Sequence, residues 1–290
     1  MKNNNNSARF SFIGAMVIFG TIGIFRRFID LPSSVLAMAR GFIGTVFLVI
    51  FVKAAGKKTD RDAVRNNLAL LIISGALIGF NWILLFEAYN YTTVSIATLC
   101  YYMAPVFLIL ASPLVLKEKL TAKKSLAVLV ALAGMVLVSG VYKGGAAGDD
   151  LKGIVLGLGA AVLYACVILM NKKMGRIDAY SKTIFQLGSA AVCLLPYVLI
   201  TENMAEIRPG VSELVLVLVV GIVHTGLAYA LYFGSMGGLR AHSIAIFSYI
   251  DPVVAIILSA VILKEAMGLW EIVGAVLILG AAIYSELTED

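Results

Sequence analysis

Charge is what this 290-residue chain has least of: only 14% of its residues are Asp, Glu, Lys or Arg, against roughly a quarter in a soluble globular domain. With 61% hydrophobic residues and a mean hydropathy of +0.97, too little polar surface remains to cover a core, which excludes a water-soluble fold. Cysteine is scarce too. Cys100, Cys166 and Cys193 each lie inside an apolar run, so they read as small packing residues and not as a disulfide frame or a metal set. The chain has two histidines and lacks an H-E-x-x-H pattern, which leaves zinc proteolysis unsupported; it also lacks a G-x-x-x-x-G-K-[ST] loop, which leaves ATP-driven pumping unsupported. No cofactor and no metal are expected. The net charge of +6 and pI of about 9.2 would suggest a nucleic-acid surface on a soluble protein, but in this composition the basic residues belong in loops on one side of a bilayer. Nucleic-acid binding is rejected on that ground.

What the chain has in abundance is long apolar runs. A span needs about 20 apolar residues, so 290 residues accommodate roughly ten, with almost nothing left for a soluble domain. Runs bounded by charges or turn residues predict helices at about 10–29, 33–52, 68–88, 93–116, 122–141, 151–171, 180–200, 213–233, 242–263 and 268–285. Residues 1–9, with the Asn3 to Asn6 tract, are expected to form a disordered tail. The first run ends at Arg26-Arg27 without a small-residue cleavage site, so it reads as a retained span. Ten spans return both termini to one side. That side collects sixteen of the Lys and Arg residues, the opposite side six, and Arg40 falls within a span, which predicts both termini in the cytoplasm of a multi-pass protein of the cell's inner membrane. On this reading Lys58, Lys124 and Asp290 are cytoplasmic, and Gly145 and Asn203 lie outside.

The chain also resembles itself. Pro105 to Glu118, PVFLILASPLVLKE, aligns without gaps to Pro252 to Glu265, PVVAIILSAVILKE, at an offset of 147 with seven identities in 14. Two units follow, 10–145 and 146–290, each with five spans. An odd number of spans obliges the second unit to enter the membrane with inverted topology. Two equivalent halves of opposite orientation supply two conformations of similar energy, one open to each side, which is what alternating access requires.

Those features together resemble a known family. A ten-helix chain in two five-helix repeats, Pro105 and Pro252 in the fourth and ninth spans with Glu118 and Glu265 thirteen positions later, and Arg40 in the second span, is similar to the EamA branch of the drug/metabolite transporter superfamily. The resemblance covers nearly the whole chain. It implies an all-α bundle of two inverted repeats around a central cavity at mid-membrane and, as activity, export of small polar or amphipathic metabolites such as amino acids, with no enzyme chemistry.

Several residues stand out within the spans. Eight residues from Ser243, at 1.5 Å each, place Asp251 about 12 Å into the bilayer, near the midplane. A carboxylate there costs roughly 2.5 to 3.5 kcal/mol and survives facing a polar cavity, a partner or a proton. Its repeat partner is Ala104, so the charge breaks the symmetry. Pro252 beside it and Pro105 in the first half remove a helical N–H and predict kinks. His224, eleven residues from Glu213 and about 16 Å deep, reaches a similar depth, and an unperturbed pKa of about 6.5 suits a histidine to proton exchange. Asp251 and His224 are therefore the candidates for proton coupling, with a structural role open for each. Arg40 and Glu87 are expected as an ion pair of structural or gating value, the alternative for Arg40 being contact with an acidic cargo. Asn81, Trp82, Tyr102 and Tyr249 are candidate cavity residues, Tyr102 and Tyr249 being repeat partners that should face one space flanked by His224 and Asp251. Glu118 and Glu265 read as solvated helix ends. Rival readings are an uncoupled facilitator and an intramembrane enzyme using Asp251 and His224 as acid and base.

Overall fold

A computed structural model describes residues 2–57, 59–117, 120–140 and 149–287. Lys58, Glu118, Gly145 and Asp290 lie outside the described residues. The first half holds α1 (Lys2–Arg27), α2 (Ser33–Ala54), the short α3 (Arg61–Asn66), α4 (Leu68–Tyr91), α5 (Val94–Tyr101), α6 (Ala104–Val115) and α7 (Ala122–Ser139). The second holds α8 (Asp149–Lys173), α9 (Ala179–Thr201), α10 (Val211–Val219), a π-helical stretch (Val220–Leu227), α11 (Ala228–Met236), α12 (Ala241–Ser248), α13 (Ile250–Ile262) and α14 (Leu269–Leu287). Among the described residues nine helical stretches are long and apolar enough to cross a membrane, and the shorter apolar helix Ile246–Ile262, in the ninth span by chain order, makes up the count of ten. The protein is an all-α membrane bundle of ten spans, five in each half, with no strand among the described residues.

Three expectations need correction. Helix α1 begins at Lys2, so over residues 2–9 the backbone expected as a tail continues the first span; once a helix is nucleated, each added residue gains a hydrogen bond at little further cost. The loop before the third span holds α3, whose first turn is capped by the Asp60 side chain accepting from the Ala63 N–H at 3.0 Å. The fourth and ninth spans are broken and not merely kinked. Helix α5 stops at Tyr101 and α6 starts at Ala104, while α12 stops at Ser248 and α13 starts at Ile250. Pro105 and Pro252 thereby fall in the first turn of a new helix, where a missing N–H forfeits no bond.

The repeat extends to backbone geometry. Lys117 (φ 59°) and Lys264 (φ 60°) are the non-glycine residues with left-handed backbone among the described residues, and they are separated by the same 147 positions. Each follows a helix end in which a main-chain N–H reaches back to a serine carbonyl: Leu116 to Ser112 at 2.8 Å, Leu263 to Ser259 at 3.1 Å. A left-handed non-glycine costs about 1–2 kcal/mol, so its recurrence marks a conformation that the surrounding fold imposes twice.

Lipid offers helices no hydrophobic reason to associate, so close approach of backbones does the packing. Helix α4 lies against α8 and α9, α2 against α9, α1 against α11 and α13, and α7 against α14. At the last contact a Cβ on Gly134 would stand 2.7 Å from the Gly274 carbonyl oxygen, and one on Gly274 2.6 Å from that of Gly134. Only glycine fits that crossing from either helix. Outward-facing apolar residues such as Leu114, Ile200 and Val276 are exposed, as the lipid face requires.

Candidate functional site

The two broken spans meet at the centre of the bundle. Tyr102 caps the C-terminal end of α5, its N–H still bonded to the Thr98 carbonyl at 2.9 Å, and its hydroxyl donates to Asp251 Oδ2 at 2.9 Å. Tyr249 occupies the matching break of the other half, its ring 6.1 Å from that of Tyr102. Its hydroxyl has a different partner, Glu286 of α14. Around them is a cavity of about 510 Å³ lined by Tyr102, Tyr249, Asp251, Asn81, Trp82 and Arg40, among others. That volume fits a small organic molecule. The lining reaches Asn171, Lys182, Met236 and Glu286, near the helix ends on the side of the chain termini.

The opposite, far end of the bundle is tied by polar contacts. Arg26 donates to the Ile29 carbonyl (2.5 Å) and to Ser33 Oγ (3.1 Å), and Ser33 in turn donates to Glu87 (2.7 Å). Arg27 donates to the Thr92 carbonyl at 3.0 Å and pairs with Glu265. Glu265 also accepts from the Val94 N–H (2.9 Å) and from Ser259 Oγ (2.6 Å). Its side chain is only 14% exposed, so the expected solvated helix end is corrected: the carboxylate joins the ends of α1, α5 and α13. Ser34 donates to Glu202 at 2.5 Å, adding α2 and α9 to the same layer.

Most of the residues singled out from sequence meet at the cavity, but two expectations fail. His224 is buried and does not line it. Its Nε2 lies 2.7 Å from Thr21 Oγ1, its ring packs edge-on against Phe25 at 4.6 Å, and its Nδ1 has no partner among the described residues. The Asp251 main-chain carbonyl lies against Gly20 of α1 and His224 meets Thr21, the next residue of that helix, but no hydrogen bond joins the two side chains among the described residues. Equal depth did not imply contact, because sequence spacing fixes height along a helix and not the direction in which a side chain points. The Arg40 and Glu87 pair is also absent. Glu87 belongs to the far-side layer with Ser33 and Asn90, whereas the Arg40 guanidinium lies 4.0 Å over the Trp82 ring and 5.4 Å from that of Phe86. One residue along α4 turns Glu87 about 100° from Phe86, away from Arg40.

Other cavity residues were missed. Tyr164, Gln186, Asn171 and Lys182 all line it, and the Gln186 amide donates to Asn171 Oδ1 and Ser74 Oγ, both at 2.8 Å. Uncharged amides inside apolar runs were the available signal. Asn81 lines the cavity while donating its amide to the Ala160 carbonyl of α8 at 2.5 Å, which fixes its orientation.

Comparison with known proteins agrees with this architecture. The sequence model of the EamA-like transporter family matches twice, over residues 6–140 and 151–285. An uncharacterized transporter of Bacillus subtilis, YxxF, is 33% identical over 91% of this chain and 84% of its own length. An uncharacterized transporter of Archaeoglobus fulgidus is 25% identical over 92% of each chain, and protein PecM of Dickeya dadantii 28% over 73% and 72%. A solved crystal structure superposes over 97% of both chains with a TM-score of 0.67 at 22% identity, which speaks to the fold.

Proposed function

This chain belongs to the EamA-like transporter family, and on that premise we propose that it is a proton-coupled exporter of small polar or amphipathic metabolites working by alternating access. The observation that carries the reading is the Asp251 carboxylate on the wall of a cavity that runs toward one end of the bundle, while the other end is tied by Arg26, Arg27, Glu87 and Glu265. In the cycle, the far-side layer opens as the terminus-side ends close, and the inverted halves exchange conformations. Asp251 takes a proton in one conformation and releases it in the other. Tyr102 stabilises the ionised form by donating to it. Amino acids are the leading cargo, a choice that rests on family membership. The positive-side bias puts both termini in the cytoplasm of the inner membrane, so the cavity as described opens inward.

The test is proton movement. Proteoliposomes with a trapped pH-sensitive dye and an imposed gradient should show cargo-dependent proton flux when a mixture of the twenty amino acids is added, and Asp251→Asn should abolish it. Cargo movement with no proton flux supports an uncoupled facilitator. An intramembrane enzyme built on Asp251 and His224 lacks support, because Asp251 lines the cavity and His224 does not.

A further inference from the structure

The cavity wall carries a cation whose position the proton cycle does not explain. Arg40 is only 4% exposed, yet among the described residues no carboxylate lies within ion-pairing distance of it. Its Nε donates to Thr225 Oγ1 at 3.1 Å, and Thr225 is held in place by donating to the Val220 carbonyl at 3.0 Å in the π-helical stretch. Gly44, one turn after Arg40 on α2, lets Thr225 pack against the helix backbone. The guanidinium carbon lies 4.0 Å over the Trp82 ring, a cation–π contact that a desolvated site strengthens. These contacts orient the group and use one of its nitrogens. The two terminal nitrogens have no hydrogen-bond partner among the described residues, and neither is among the fully enclosed unpartnered atoms, so they keep access to the space that Arg40 lines.

A guanidinium taken out of water costs several kcal/mol unless an anion compensates it. Its free edge presents parallel N–H groups whose spacing matches the two oxygens of a carboxylate. We propose that Arg40, seated on Trp82 and steered by Thr225, is the binding site for a carboxylate group of the cargo, so that this protein selects small organic anions or molecules carrying a carboxylate. This rests on the transporter reading for its biological use but not for the binding itself. The aromatic walls from Trp82, Tyr101, Tyr102 and Tyr229 suit an apolar or planar remainder.

The experiment is thermal unfolding of the purified full chain with matched probes that differ only at one group: indole-3-acetate, its amide and tryptamine, and phenylpropionate, its amide and the corresponding amine. Binding to the native state raises the apparent Tm. The carboxylates are expected to act at concentrations at least tenfold below their amides, Arg40→Gln to erase that preference, and Arg40→Lys to keep part of it. Amides or amines as effective as the carboxylates, no carboxylate-dependent rise in either series, or an unchanged preference in a cooperatively melting Arg40→Gln protein overturns the proposal. Proteoliposome uptake separates the two levels. A carboxylate that binds through Arg40 but does not cross the membrane leaves the site intact and defeats the transporter reading, whereas uptake indifferent to the carboxylate does the reverse.

Discussion

The two broken spans, α5 with α6 and α12 with α13, share a backbone and differ in chemistry. Both break at a tyrosine, both carry a proline in the first turn of the helix that follows, and both are followed by a left-handed lysine, the two lysines 147 positions apart. At the restart, however, one half has Ala104 and the other Asp251. The tyrosines also part ways: Tyr102 donates to Asp251, Tyr249 bonds to Glu286. Duplication therefore supplies a frame with matching backbone in both halves, and on the proposed reading the single carboxylate at the restart is what would carry a proton through their exchange.

Breaking this asymmetry should have graded effects. Asp251→Asn keeps the shape but holds only the neutral form, so proton-driven accumulation in proteoliposomes should fall at least tenfold while exchange of cargo for cargo persists. Ala104→Ser at the matching position should leave both within about twofold. Next in size, Tyr102→Phe removes the donor that favours the ionised carboxylate, and the pH profile of transport should move toward alkaline values, whereas Tyr249→Phe leaves the profile where it was. For stability, the serines at the helix ends differ as well: Ser259 donates to the Glu265 carboxylate and Ser112 to the Ile109 carbonyl. Losing a bond to a charged group costs about 1.5–3 kcal/mol, against roughly 1 for a neutral one, so Ser259→Ala should lower the Tm more than Ser112→Ala. The smallest effect on transport is expected for His224→Gln, since that ring bonds to Thr21 and does not line the cavity.

The fold was largely legible because apolar run length and parity of spans are linear properties of a chain, and the repeat could be read letter by letter. The span breaks at Tyr102 and Tyr249 were visible only as prolines, since a helix that stops and restarts over two residues keeps the same hydrophobic profile as one that bends. Within the site, Asp251, Tyr102 and Tyr249 were found through depth and symmetry. His224 and the Arg40 to Glu87 pair were misplaced because facing is set by helix rotation and tertiary packing, about 100° per residue, which depth cannot resolve. Glu265 was misjudged for a related reason: a carboxylate at a helix end is solvated unless another element covers it, and here α1 brings Arg27 across.

Two-sided access to a single cavity position tests the account most directly and needs no knowledge of the cargo. Tyr164, which lines the cavity from α8, is replaced by cysteine after Cys100, Cys166 and Cys193 are replaced by alanine, and an impermeant methanethiosulfonate is applied to one face of oriented vesicles at a time. Alternating access requires reaction from either face, and loss of far-side reaction alone once Arg27→Cys and Glu265→Cys are bridged by a bifunctional reagent. Reaction confined to the terminus side before any bridge is made, or far-side reaction that survives the bridge, would contradict it.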